Sequence, residues 1–194
     1  MNKCSLALSD QEYRQCIGLL RSGFRLKDRT VYPNKRIAGI VVTQATLGLR
    51  LGDVLKLKMN SFVNEGGRSR LNIVEEKTCK TRSFTVPVEV YSFLQDYAIE
   101  MGIGKEAKLF DLSQRQVHRH LSLVFEYMGL PSESYSSHSF RKYFATKVYL
   151  NNDCNIELVR LLLQHSNVAV TQRYIGISQK SIEDALSKTV EHLV

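Results

Sequence analysis

The chain has 194 residues, 27 Lys+Arg against 19 Asp+Glu, and a formal net charge of +8, with 43% hydrophobic and 24% charged residues. Such a chain is long enough to bury a core as one domain, or one domain with appendages. It has no run of about 18 apolar residues to cross a membrane and no signal peptide at its start. The positive excess favours a polyanionic partner, nucleic acid first and a membrane surface second. The cysteines at 4, 16, 79 and 154 are scattered without a metal-ligand spacing, and read as reduced cytosolic thiols. No metal is expected.

Taken in order, Ser9-Asp10-Gln11-Glu12 is a capping box. It starts a helix whose apolar face is Tyr13, Cys16, Ile17 and Leu20, stopped near Gly23. A basic loop from Arg25 to Pro33 follows, its charges Arg25, Lys27 and Arg29 divided evenly between solvation and phosphate contact. Asn34 caps the next helix, with Ile37, Ile40 and Val41 buried. Gly48 breaks it, and a new helix begins near Gly52. Arg50 therefore sits in a tight turn between two helices, flanked by Leu49 and Leu51. A planar guanidinium held there suits a phosphate, whereas the plainer reading pairs it with Asp53 or a helix end.

From Arg70 the apolar period changes to two. Leu71 to Val74 and Ser83 to Val86 read as paired strands, preceded by a turn at Asn64 to Gly67 and a short strand near Phe62. The connecting tip carries Lys77, Lys80 and Arg82, which either reach a DNA groove or protect an edge. Pro87 ends the sheet. A helix with Tyr91, Leu94, Ala98 and Met101 on one face comes next. Ser113 caps another, with Val117, Leu121, Val124 and Met128 as its seam. Its other face presents Arg115, His118 and Arg119 to a nucleic-acid backbone. His120 reads as solvated, and its separation from His118 excludes a chelate. The fold class is mainly α with a small antiparallel β-sheet.

The last third holds the chemistry. Ser137-His138-Ser139-Phe140-Arg141 opens a helix capped by Ser136 or Ser137, with Phe140, Phe144 and Val148 as its seam. His138 and Arg141, three residues apart, share a face. A helix from Ile156 to Leu163 ends at His165, and a third short one carries Tyr174. Arg and His facing a phenol suit attack on a phosphodiester. A final amphipathic helix holds Ile182, Ala185, Leu186, Val190 and Leu193, which either join the chain's own core or dock on a neighbour.

Arg50, Lys77, His138-x-x-Arg141, His165 and Tyr174, in this order, resemble the tyrosine recombinase (phage integrase) family, and the match spans about Ser9 to Gly176. Departures are Asp53 for the usual Glu, Leu47 where Thr often precedes the Gly, and Gln164 where Gly commonly precedes the second His. The resemblance implies the recombinase catalytic-domain fold over 1–177, a C-terminal segment 178–194 docking on an adjacent subunit, and no cofactor. It also implies double-stranded DNA as partner, a cytoplasmic setting, and a homotetramer on two sites, with a monomer allowed without DNA. Arg50 and Arg141 would clamp the phosphate, His165 would donate to it, and Lys77 would protonate the leaving 5′-oxygen. His138 would take the proton of Tyr174, the nucleophile. Lys80, Arg82, Arg115 and Arg119 would hold the duplex. Most members carry an N-terminal core-binding domain, whereas here the pattern starts almost at Met1; a natural single-domain member is favoured over a truncated one. Two alternatives share these residues: a type IB topoisomerase-like activity and a catalytically idle DNA-binding regulator. The DNA site and the outcome, whether integration, excision, inversion or resolution, are not encoded legibly.

Overall fold

Helix caps and a change of apolar period fix most element boundaries in the computed structural model, which describes residues 5–175 and residue 187. The chain divides into two units, residues 1–144 and 145–194.

In the first unit, α1 (Asp10–Ser22) opens on the capping box, with Glu12 N donating to Ser9 Oγ at 3.2 Å and Ser9 N to Glu12 Oε2 at 2.6 Å. It ends at Gly23, whose φ of 74° leaves no room for a side chain beside Pro33. The expected basic loop is instead a hairpin, β1 (Phe24–Leu26) and β2 (Arg29–Val31). Lys27 occupies its turn at a φ of 52°, a left-handed position. Phe24 against Tyr127 and an ion pair of 2.8 Å between Lys27 and Glu126 hold this hairpin. Asn34 caps α2 (Lys35–Leu47), accepting from Ile37 N at 3.1 Å.

The second expected helix is one turn only, α3 (Leu51–Val54). The sheet is β3 (Phe62–Glu65), β4 (Arg68–Val74) and β5 (Thr81–Thr85), antiparallel in that spatial order. α4 (Val88–Glu100) buries Leu94 and Ala98, but Met101, expected on that face, is exposed beyond its end. α5 (Gln114–Tyr127) carries a second capping box at Ser113 and Gln116, and buries Val117, Leu121 and Val124 as the periodicity requires. One core joins α1, α2, α4, α5 and the sheet; burying such side chains contributes about 1.5–3 kcal/mol each before entropy is subtracted.

α6 (His138–Leu150) begins in the first unit and ends in the second. Ser136 supplies its cap, Oγ accepting from His138 N at 3.2 Å. Of its expected seam, Phe140 is buried, while Phe144 and Val148 are only half-buried; Ser139, Arg141, Lys142 and Ala145 are buried instead. In the second unit, α7 (Ile156–Leu163) and α8 (Val168–Ile175) pack together with Val159, Leu163 and Ile175 buried. The expected C-terminal helix from Ile182 to Leu193 lies outside the described residues except Ser187. Among the described residues no helix is long and apolar enough to cross a membrane.

Candidate active site

Arg50 stands at the N-cap of α3, two residues past Gly48, which ends α2 at a φ of 60°. A Cβ on Gly48 would lie 2.4 Å from the Phe144 ring, so both the backbone angle and the contact demand glycine. Leu49 and Leu51 are buried on either side, as expected, and they aim the turn. The carbonyls that α2 leaves unpaired at its C-terminus are claimed by two buried arginines. Arg82 Nη2 donates to Leu47 O at 2.9 Å, and Arg141 Nη1 donates to Gly48 O. A cation at a helix C-terminus is favourable, and a guanidinium suits it because it presents several donors at once.

Arg50 pairs with Glu75, Nη1 to Oε2 at 2.5 Å, and not with Asp53. Asp53 Oδ1 accepts from Glu76 N at 2.9 Å. Glu75 is fully buried. It also takes Thr78 Oγ1 at 2.8 Å and Arg82 Nη1 at 3.3 Å. Burial alone would raise its pKa, but the hydrogen bonds from Thr78 and Arg50 and the charges of Arg50 and Arg82 hold it below the usual carboxylate range.

Arg82 corrects an expectation. Placed by the sequence reading at the hairpin tip as a DNA contact, it is 1% exposed, on β5 opposite Ile73, with its guanidinium 5.1 Å from the centre of the Phe84 ring. The alternation of the strand explains this: Arg82, Phe84 and Val86 share the inward parity. Buried among its partners, it serves here as a structural cation and not as an exposed contact on the tip. Lys77 and Lys80 remain exposed on the tip.

His138 gathers the cations of the first unit. Burial, followed by the charges of Arg141, Lys142, Arg50 and Lys77, pushes its pKa down to about 4. At neutral pH the imidazole is uncharged and able to accept a proton. Arg50, Lys77 and Arg141 thus each lie within electrostatic reach of His138. Arg141 has no exposed surface, so a phosphate reaches it only when the groups covering it move. Lys142, also buried, had no sequence signal beyond its place on the helix.

The second unit brings His165 and Tyr174 together, with ring centres 4.6 Å apart at an interplanar angle of 63°. His165 follows the left-handed cap of α7: Gln164 has φ 54° and ψ 38°, a conformation that favours glycine. The His165 backbone is tied on both sides, its N donating to Arg160 O at 3.0 Å and its O accepting from Arg160 Nη1 at 2.9 Å. Its Nδ1 is 3.1 Å from Thr171 Oγ1, buried on α8. When that hydroxyl donates, the ring proton sits on Nε2, the tautomer that can donate outward.

On α5, Arg115 and Arg119 are exposed one turn apart, and neither has an acidic partner among the described residues. His120, read from sequence as solvated, is half-buried with Nε2 enclosed; burial and the charges of Arg119 and Arg29 lower its pKa. The sequence reading missed Glu75, Thr78 and Thr171. Glu75 had a signal, since it extends the inward parity of Leu71 and Ile73.

This fold, with Arg50, His138 and Arg141 in the first unit and Tyr174 on the short helix α8, is that of a tyrosine recombinase catalytic domain. The phage integrase family profile matches residues 27–181, and the chain belongs to that family. Among relatives, the protein named "Probable integrase/recombinase YoeC" of Bacillus subtilis is 27% identical over 165 residues, covering 82% of this chain and 88% of that one. Tyrosine recombinase XerC of Caldanaerobacter subterraneus is 23% identical over 181 residues, covering 93% of this chain and 50% of its own. The chain thus spans about half the length of that relative. Of solved structures, XerH site-specific recombinase bound to palindromic difH substrate, in a post-cleavage complex, superposes with a TM-score of 0.69 at 21% identity, over 96% of this chain and 54% of that chain. The catalytic domain of bacteriophage HP1 integrase does so with 0.61 at 18% identity, over 94% of each.

Proposed function

We propose that this chain is the catalytic unit of a site-specific DNA recombinase that cuts and rejoins strands through a 3′-phosphotyrosyl intermediate. The observation that carries the reading is the collection of Arg50, Lys77, Arg141 and Lys142 around a neutral His138. A scissile phosphate would supply the missing negative charge. Membership of the phage integrase family supports the same chemistry.

Tyr174 Oη attacks phosphorus, and its proton passes to His138. The bond to the 5′-oxygen breaks, and Lys77 protonates that oxygen as it leaves. Arg50 and Arg141 bind the non-bridging oxygens as charge grows on them, and His165 donates through Nε2. A donor aimed at such an oxygen is worth on the order of a hundredfold to a thousandfold in rate. A bound phosphate also raises the pKa of His138 from its low value in the free protein, making it a stronger base when it is needed. The phosphotyrosyl ester keeps its reactivity, so a second 5′-hydroxyl reseals the strand without ATP.

Lys80 on the hairpin tip and Arg115 and Arg119 on α5 are proposed to hold duplex phosphates. The segment 178–194 is proposed to dock on a neighbouring subunit in a tetramer on two sites, in the cytoplasm. The test is a nicked suicide duplex carrying the recognition site, from which the cut end diffuses away. The wild-type chain should become joined to DNA, and Tyr174→Phe should not. Joining that survives in Tyr174→Phe refutes the reading.

A further inference from the structure

We infer that Thr78 and Glu75 form a latch that holds the Lys77 loop against the Arg50 turn, making Thr78 a positioning residue for the general acid. The inference deepens the proposed function and rests on it.

The loop between β4 and β5 is closed by its own backbone, Glu75 N donating to Lys80 O at 3.0 Å and Cys79 N to Glu75 O at 2.9 Å. Closure of that kind sets where the tip starts and ends. It does not set how Lys77 is pitched, because Glu76, Lys77 and Thr78 lie inside the ring. Cys79 completes the loop at a φ of 53°, in the left-handed region.

Two side-chain bonds supply the missing constraint. Asp53 on α3 accepts from the backbone N of Glu76, immediately before Lys77. Glu75 accepts from the hydroxyl of Thr78, immediately after it. The same carboxylate oxygen of Glu75 receives Arg50 Nη1, while the other faces Arg82. Lys77 is therefore pinned by its two neighbours to the turn that aims Arg50. A lysine side chain is long and flexible, so its aim depends on the backbone beneath it. Because Glu75 is buried and bound to two arginines, it cannot turn outward without stranding a charge. The latch is rigid at that end, and the hydroxyl of Thr78 is the end that can be removed without touching Arg50.

Removing the hydroxyl should therefore damage proton delivery to the leaving oxygen and spare the clamp on the phosphoryl oxygens. The test compares Thr78→Val and Thr78→Ser with the wild-type chain in single-turnover cleavage of two suicide duplexes. One has the ordinary 5′-oxygen at the scissile phosphate. The other has a bridging 5′-sulfur, whose thiolate leaves without a proton. Thr78→Val should cleave the oxygen duplex roughly tenfold to a hundredfold more slowly, a cost typical of a misplaced catalytic group, and the sulfur duplex within about twofold of wild type. Thr78→Ser, which keeps the hydroxyl, should stay near wild type on both.

An equal loss on both duplexes by a Thr78→Val chain that melts as wild type does, or no loss on either, would overturn the latch. If Thr78→Val melts early, Thr78→Ala takes its place in the same comparison, and Thr78→Ser slowed on the oxygen duplex alone overturns the latch in either case. A wild-type chain that joins neither duplex defeats the proposed function itself, and that outcome is distinct from a joined wild type with an unaffected Thr78→Val.

Discussion

The cations around His138 make the stability of the free protein depend on pH in a calculable way. With an ordinary value of 6.5 and a folded value of about 4, the unfolded chain binds the proton more tightly than the folded one. This contribution is fully present above the unfolded value and is lost as pH falls toward the folded one. Acidifying from about pH 7 to about pH 5 should remove about 2 kcal/mol, and continuing to about pH 4 about 3 kcal/mol. The perturbation is His138→Gln, which keeps a polar side chain and removes the titration. Urea unfolding of both proteins at the two upper pH values gives the difference of differences. Other groups that titrate in this range, His120 among them, are common to both proteins and cancel. The wild-type chain should lose about 2 kcal/mol more than His138→Gln on acidification. Equal losses would show that His138 is not held neutral by burial and its four cations, and would remove the physical basis for its role as a base.

Arg82→Ala should destabilise the fold by about 3–5 kcal/mol, because it takes one of two cations from the buried Glu75 and frees the end of α2; denaturant unfolding measures this, and a loss under about 1 kcal/mol would contradict the structural role. Lys80→Ala should leave stability within about 0.5 kcal/mol yet reduce the slope of log affinity against log salt by about 1 in a DNA titration; an unchanged slope would remove Lys80 from the interface. Gln164→Gly should raise stability by roughly 0.5–1 kcal/mol by relieving the left-handed cap of α7; a lower melting temperature would show that the Gln164 side chain contributes more than the backbone gains. Ending the chain after Ile177 should abolish assembly on DNA while the remainder stays folded by circular dichroism; an unfolded product would assign the segment to its own core.

How much of this was readable in the residues differs from element to element. The caps at Ser9, Asn34 and Ser113 were legible because short polar side chains before an apolar run have few other uses. Gly48 was legible as a helix end, and the two leucines beside Arg50 as its supports. Arg82 is hard to place because charge and parity disagree: a cation near a hairpin tip suggests an outward side chain, whereas Phe84 and Val86 fix the inward face that it shares. Met101 lies beyond the end of its helix, where the spacing of the apolar face no longer applies. Phe144 and Val148 were expected to be the seam of α6, yet that helix also buries Arg141 and Lys142. Periodicity cannot show a helix whose polar residues are enclosed by other charges. The partner of Arg50 was equally hidden, since Glu75 is 25 residues away in sequence and no local rule couples a turn to a strand end.

The central claim is that Tyr174 is the nucleophile at a scissile phosphate. The most direct measurement is digestion of the trapped protein–DNA product by protease and nuclease, followed by mass spectrometry of the surviving peptide–nucleotide. The expected species is a peptide containing Tyr174 bearing a nucleotide through its 3′-phosphate, with a free 5′-hydroxyl on the released strand. A nucleotide on any other residue, or a linkage through the 5′-phosphate, would contradict the account.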